Sequence, residues 1–341
     1  MKGYYIERNL SGMNELPATL KSDVPDPKPG KGEVLVDVHT AGFNYFDVLQ
    51  VQGLYQHKPP FPYVAGAEFS GTISPSSPIP AGAPSWLRPG ARVFGAGQGS
   101  YAEKIKVPFH TLVPVPEGMK MEEAAGLYVT YPTSYAALVY RANIQPGEYL
   151  LIHAAAGGVG LAALQIGKAL GAKVIAACST QAKLDVCLRY GADYAINYAE
   201  GAKGDWQKKV MEITKGHGAD VVYDPVGMIV PSLKCIAWNG RLIVVGFAGG
   251  NIEKIPANLI LLKNVAVTGV HWGAYSKNEI KKVPETWEAL LKLFAEKRIK
   301  GVVYDKVFEG LESVPEGLRA LGARETWGKA VVRVSKESAK L

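Results

Sequence analysis

Cysteine is almost absent. Only Cys178, Cys187 and Cys235 occur in 341 residues, an odd number with no Cys-x-x-Cys pair and no histidine at metal-ligand spacing. A disulfide framework and a zinc knuckle are both excluded, and the usage suits a reducing compartment. The opening MKGYYIERNLSG lacks the charged-then-apolar pattern of an export signal, so the expected location is cytoplasmic. Long apolar runs are missing too. Tyr149 to Gly167 carries no formal charge, but Gly157, Gly158 and Gly160 interrupt it, and its halves read as a buried strand followed by a helix, not as a membrane span. Charge of one sign is also scarce. Lys plus Arg number 38 against 31 acidic residues, a net +7, with no basic block interleaved with aromatics. That weakly favours an anionic ligand and argues against nucleic acid.

What is present is a folded-protein composition, 48% hydrophobic and 20% charged, long enough for about two domains. Up to about residue 120 the chain offers short β-like runs such as Glu33–His39 and Ala91–Gly95, separated by Pro and Gly. The Pro-rich stretch from Ser74 to Gly90 reads as a loop joining strands. From Pro146 onward the pattern changes. Apolar runs at Tyr149–His153, Lys173–Cys178, Asp193–Asn197, Asp220–Asp224, Arg241–Gly246 and Val265–Val270 alternate with helical stretches at Leu161–Leu170 and Gln181–Tyr190. This predicts an α/β fold with a six-stranded parallel, doubly wound sheet. Trp287, Leu290, Leu291, Phe294 and Ala295 follow helical spacing and predict one buried face. The runs Val302–Val307 and Ala330–Val334 are β-like again, so the tail is expected to return to the first domain.

The chemistry gathers first at Ala155-Ala156-Gly157-Gly158-Val159-Gly160, between the first predicted parallel strand and its helix. Glycines there permit a tight turn and let backbone amides approach a pyrophosphate at a helix N-terminus. Ala155 stands where the usual pattern has its first glycine. About twenty residues on, where an NAD enzyme presents a carboxylate to the ribose, the chain reads Ala177-Cys178-Ser179-Thr180 with Lys183 following. Nothing there repels a 2′-phosphate, and Ser179 and Lys183 can bond one, so NADPH is expected over NADH. Ser179 or Thr180 would serve equally as a helix N-cap.

PFPYVAGAEFSGTI (60–73), AAGLYVTYPTSYAAL (124–138), the glycine motif, GADYAINY (191–198), GADVVYDPVG (218–227) and NGRLIVVGFAGG (239–250) together resemble the quinone oxidoreductase branch of the medium-chain dehydrogenase/reductase superfamily, which includes zeta-crystallin. The resemblance covers nearly the whole chain in motif order. It implies a GroES-like β-rich catalytic domain built from residues 1–124 and 271–341, and a Rossmann domain over 125–270. The alcohol dehydrogenases of that superfamily hold a catalytic zinc with Cys and His. Here Asn44 and Ala67 stand at those positions, the four-cysteine structural set is missing, and the six histidines are scattered. No metal is expected.

The resemblance further implies that Asn44 and Thr130 face the nicotinamide end and that Tyr55 lies near the substrate. A second tyrosine of some members is Leu49 here. Ala156, Gly157, Gly158, Val159 and Gly160 are expected on the pyrophosphate, Tyr198 beside the 2′-phosphate, Gly246 and Phe247 near the nicotinamide, and Arg324 as a further cofactor contact. Asn44, Tyr55 or Thr130 would hydrogen-bond the oxyanion left when hydride reaches a quinone, with water supplying the proton. The structural alternative for Asn44 is turn chemistry, and for Tyr55 a half-buried loop aromatic.

The function so implied is NADPH:quinone reduction without zinc. The nearest alternative is reduction of α,β-unsaturated carbonyls, from alkenals and enones to enoyl thioesters. Another class is RNA binding or a structural, crystallin-like role. A homodimer is expected through the Val265–Val270 strand. The terminal Ala339-Lys340-Leu341 resembles a peroxisomal address, which makes that compartment the alternative location.

Overall fold

A computed structural model describes residues 1–202 and 205–335. The terminal tripeptide lies outside the described residues. The chain divides into two compact units, one formed by Met1–Val129 and Gly301–Leu341, the other by Thr130–Lys300.

The first unit is β-rich and GroES-like. Its seven-stranded sheet is built around the long strand Glu33–Gly42, which pairs antiparallel with Glu68–Ile73, Lys104–Pro108 and Val331–Arg333. Strands Arg92–Ala96 and Leu112–Pro114 extend one side. The register of Glu33–Gly42 on Glu68–Ile73 shifts between Val38 and Thr40. This irregularity lets Gly42 face Glu68 and bends the end of the strand. Phe43, Phe69 and Tyr101 anchor the core, with Phe43 packed edge-on against Phe308. The expected strand over 302–307 does not form. Only Val303 bridges to Lys329, the exposed Asp305 and Lys306 interrupt the apolar run, and pairing resumes at Phe308–Glu309.

In the second unit the six expected strands are all present: β1 Tyr149–His153, β2 Lys173–Cys178, β3 Tyr194–Asn197, β4 Ala219–Asp224, β5 Ile236–Val244 and β6 Ala266–Gly269. All pairs are parallel and the spatial order is β3-β2-β1-β4-β5-β6, the Rossmann arrangement. Strands β1, β2 and β4 are buried almost throughout, which explains their continuous apolar runs where a half-exposed strand would alternate. Helix α1, Gly158–Ala169, follows β1, and helix α2, Gln181–Arg189, follows β2. A Cβ at Gly167 would come within 2.5 Å of Leu150, so this glycine lets α1 lie close on the first strand.

The return to the first unit comes at Gly301, later than the expected residue 271, and the first crossing falls after Val129, not after 124. The physical reason is the helix Lys282–Ala295. It buries Trp287, Leu290, Leu293 and Phe294, with Phe294 packed on Tyr131 and Thr286 bonded to Tyr140, so its apolar face is satisfied inside the second unit. That face is centred slightly differently from the expected stripe: Ala295 is exposed and Leu291 only half-buried. Among the described residues no helix is long and apolar enough to cross a membrane.

Candidate active site

In the second unit the expected cofactor residues other than Thr130 follow the carboxyl ends of the strands, the place where open α/β sheets bind ligands. β1 ends at His153 and the chain turns through Ala154, which takes the left-handed conformation at φ +46°. That is why Ala155 is tolerated at the usual glycine position: the strained residue is its neighbour. Gly157 donates to the Ala154 carbonyl at 2.9 Å and precedes α1 in extended conformation, with no side chain capping the helix. The first-turn amides of Gly158, Val159 and Gly160 therefore begin the helix without a side-chain acceptor. A Cβ on Gly160 would come within 2.5 Å of the Ala154 carbonyl and 2.7 Å of that of Ala155. Ala156 is buried, as is Ala155.

At the end of β2, Ser179 and Thr180 are exposed. Thr180, not Ser179, caps α2, accepting from the Lys183 amide at 3.4 Å. This leaves the Ser179 hydroxyl outside the capping interaction. Tyr198 follows β3 and donates its amide to the Cys178 carbonyl at 3.0 Å, which brings it alongside Ser179. Ser179, Lys183 and Tyr198 thus share the adjoining ends of β2 and β3. Gly246 and the exposed Phe247 follow β5. A Cβ at Gly246 would approach the Pro225 carbonyl to 3.3 Å. Sequence reasoning missed Asp224. At the end of β4 it is buried, and its carboxylate accepts the amides of Val226, Gly227 and Met228 at 2.5–3.0 Å, fixing the next turn. Thr130 opens the short helix Thr130–Tyr135 and is buried.

In the first unit Asn44 lies at the centre of a buried polar cluster. Its side-chain oxygen accepts from the Lys329 ammonium at 2.6 Å, and its Nδ2 donates to Glu68 at 3.2 Å. The next nearest acceptor of Nδ2 is the Gly42 carbonyl, at 3.5 Å. Lys329 and Glu68 form an ion pair at 2.5 Å, with side chains 5% and 0% exposed. Glu68 also accepts the Val129 amide at 2.9 Å, and its own amide donates to Ser100. An ion pair this deep needs further hydrogen bonds, and here Asn44 bonds both partners while the Val129 amide bonds the carboxylate.

Asn44 precedes the helix Tyr45–Val51, where Asp47 reaches back to accept its amide at 2.8 Å. The turn reading of Asn44 therefore applies to its backbone, while its side chain serves the ionic cluster. Asp47 is fully buried and also accepts from Tyr101 at 2.5 Å, while its Oδ1 has no partner among the described residues. Burial pushes its carboxyl up to about 7. Tyr55 is half-buried and stacked on Phe46, with ring centroids 5.1 Å apart. Burial first, then the Asp47 charge, raises its hydroxyl. Arg324 is exposed after the helix Val314–Gly322, in the left-handed region at φ +59°. Glu68 was visible in sequence only as a member of the segment 60–73, and nothing in the sequence singled out Lys329. Asp47 was signalled by the Asn-x-x-Asp helix start.

Comparison with known proteins agrees with this architecture. Residues 30–117 match the Alcohol dehydrogenase GroES-like domain family and residues 158–296 the Zinc-binding dehydrogenase family. The chain is 38% identical over 327 residues to the quinone oxidoreductase-like protein 2 homolog of Nematostella vectensis, covering 94% of this chain and 87% of that one. It is 30% identical to the quinone oxidoreductase of Homo sapiens over 89% and 91% of the two chains. The chain belongs to the medium-chain dehydrogenase/reductase superfamily, in its quinone oxidoreductase-like branch. Among solved structures, the quinone oxidoreductase of Thermus thermophilus, studied with and without NADPH, superposes with a TM-score of 0.83 at 32% identity, covering 98% of this chain and 100% of that one. The superfamily's oxidoreductase fold is thus present in both units.

The two cofactor classes of this superfamily fare differently against the residues in place. Asn44 and Ala67 stand where the resemblance puts zinc donors, and the Glu68 carboxylate already carries the Lys329 ammonium. This donor set does not fit a zinc ion. A dinucleotide does fit. The uncapped first turn of α1, the glycines that let a ligand approach it, and the polar group at the ends of β2 and β3 supply donors where phosphates need them.

Proposed function

We propose that this protein is a zinc-independent, NADPH-dependent reductase of quinones. The observation that carries the reading is the end of β2: Ser179 and Lys183 stand there with no carboxylate, and the Tyr198 amide bond to Cys178 sets the tyrosine beside them. A carboxylate at that point bonds the two ribose hydroxyls of NADH. A hydroxyl and an ammonium favour a 2′-phosphate instead. Gly157 to Gly160, with Ala156 behind them, hold the pyrophosphate on backbone amides. Gly246, Phe247 and Thr130 bound the nicotinamide side, and Arg324 is a further contact.

When bound, NADPH supplies the hydride. The protein's part is to orient the acceptor, exclude water and stabilise charge. Hydride arriving at a quinone leaves an electron pair on oxygen, and water returns the proton. Asn44 and Tyr55 are the hydrogen-bond donors for that oxygen, and their value lies in being fixed before charge develops. No obligatory general acid is assigned. The test is steady-state oxidation of NADPH with a series of ortho-quinones, run beside 2-alkenals. Turnover of quinones with NADPH preferred over NADH is expected. Turnover of alkenals alone would move the assignment to the enone reductases, and no oxidation with any acceptor would overturn it.

The strand β6 ends the parallel sheet, and the helix Ala257–Lys263 before it has no buried residue, with Leu261 and Leu262 78% and 69% exposed. These features support a homodimer in which β6 pairs with its copy. A single species of monomer mass in sedimentation would exclude it.

A further inference from the structure

The Lys329 side chain runs through a slot that only glycine leaves open. A Cβ at Gly126 would come within 2.6 Å of its Cγ, and one at Gly42 within 2.9 Å of its Cε. The ammonium at the end of this slot is tied to Glu68 and to the oxygen of Asn44. On the other end of the same amide, one Nδ2 hydrogen goes to Glu68, and the second has only the Gly42 carbonyl at the limit of hydrogen-bonding distance. A cation on the amide oxygen draws electron density from nitrogen and strengthens the remaining N–H as a donor.

We propose that Lys329, anchored by Glu68, is a positioning residue that fixes and polarises the Asn44 amide so that the Nδ2 hydrogen held only by the long bond to the Gly42 carbonyl turns to the oxygen on which charge develops. The inference rests on the quinone-reductase reading and deepens it. It defines the acceptor class as carbonyl-conjugated compounds whose reduction places a full negative charge on oxygen. In this arrangement the protein's own buried ammonium provides a standing positive field, without itself touching the acceptor. The hydride that NADPH would give up with its electron pair bonds to the acceptor, the acceptor's π pair moves to oxygen, and a water proton completes the product. Lys329 keeps its proton throughout.

The experiment compares wild type with the paired variant Lys329→Met/Glu68→Gln, which removes both charges together and leaves no uncompensated ion. With NADPH and an ortho-naphthoquinone, kcat is expected to fall by at least tenfold, while the NADPH dissociation constant measured by fluorescence and the quinone KM stay within twofold. A spectroscopic reading accompanies it. Para-nitrophenol, added with NADP+ at the pH where the free phenol is half ionised, should show an enhanced phenolate band on wild type and none on the variant. A folded variant with kcat within twofold of wild type, or with an unchanged phenolate band, overturns the proposal.

Should the paired variant not fold, Asn44→Ala decides, because it leaves the ion pair in place. The same losses are expected, and wild-type kcat and phenolate band would again overturn the proposal. Failure of the underlying reading is distinct, since then wild type itself neither binds NADPH nor oxidises it with any quinone.

Discussion

The two polar regions of this molecule handle hydrogen bonding in opposite ways. Around Asn44 in the first unit, carboxylate, ammonium and amide hold one another, and one Nδ2 hydrogen of the amide is left on a long bond to the Gly42 carbonyl. Around Gly157 in the second unit, main-chain donors open a helix with no side chain to receive them. Under the proposed function the first is a field built in advance and the second the cradle of the cofactor's pyrophosphate. The proposed reduction needs both, because a cofactor must come and go while the charge that favours its reaction must not move.

Three of the four perturbations below break this contrast, and they are ordered by expected size. Glu68→Gln alone leaves the Lys329 ammonium buried without its counter-ion. It should cost about 3–5 kcal/mol in urea unfolding, and adding Lys329→Met should restore much of that loss. Gly160→Val drives a side chain against two carbonyls of the turn. A penalty of about 1–3 kcal/mol is expected, with NADPH affinity falling by about 10- to 100-fold in fluorescence titration. Wild-type affinity in that variant would mean that the turn does not bind the cofactor.

The third concerns pH, where the two units pull in opposite directions. Burial raises Asp47 from its ordinary 3.8 to about 7, so between those values the native state holds a proton that the unfolded chain has lost, and stability falls as pH rises. Burial lowers His153 from 6.5 to about 4. There the unfolded chain holds the extra proton, and stability rises with pH across that window. Asp47→Asn should therefore unmask a rise in stability between about pH 4 and 6.5, on the order of a few kcal/mol. Denaturant titrations at several pH values would show it, and an unchanged profile would contradict the buried, protonated state of Asp47. Arg324→Gly should have the smallest effect. Relieving a left-handed residue is worth about 0.5–1 kcal/mol, and any loss of NADPH affinity beyond that background would assign Arg324 to the cofactor.

Much of the fold was legible before any coordinates. β1 and β2 begin and end at the residues their apolar runs predict, because strands buried on both faces declare themselves without tertiary help. The glycine turn was legible for the same reason, since its chemistry is local. The helix Lys282–Ala295 was found but assigned to the other unit, because an amphipathic pattern shows that a face is buried and not what covers it. Val302–Val307 had the composition of a strand and makes a single bridge, a reminder that β-propensity depends on whether a partner edge is present.

The sequence by itself determined the parallel sheet, the glycine turn before α1 and the absence of a carboxylate after β2, all of them properties of neighbouring residues. Only the tertiary structure decided that Lys329 meets Asn44 and Glu68, and that Asp47 is sealed beneath Tyr101. Asn44 and Lys329 are 285 residues apart in the chain, and no local pattern encodes which distant ammonium fills a slot between two glycines. That pairing follows from packing, which brings the charges together and removes the water that would otherwise keep them apart.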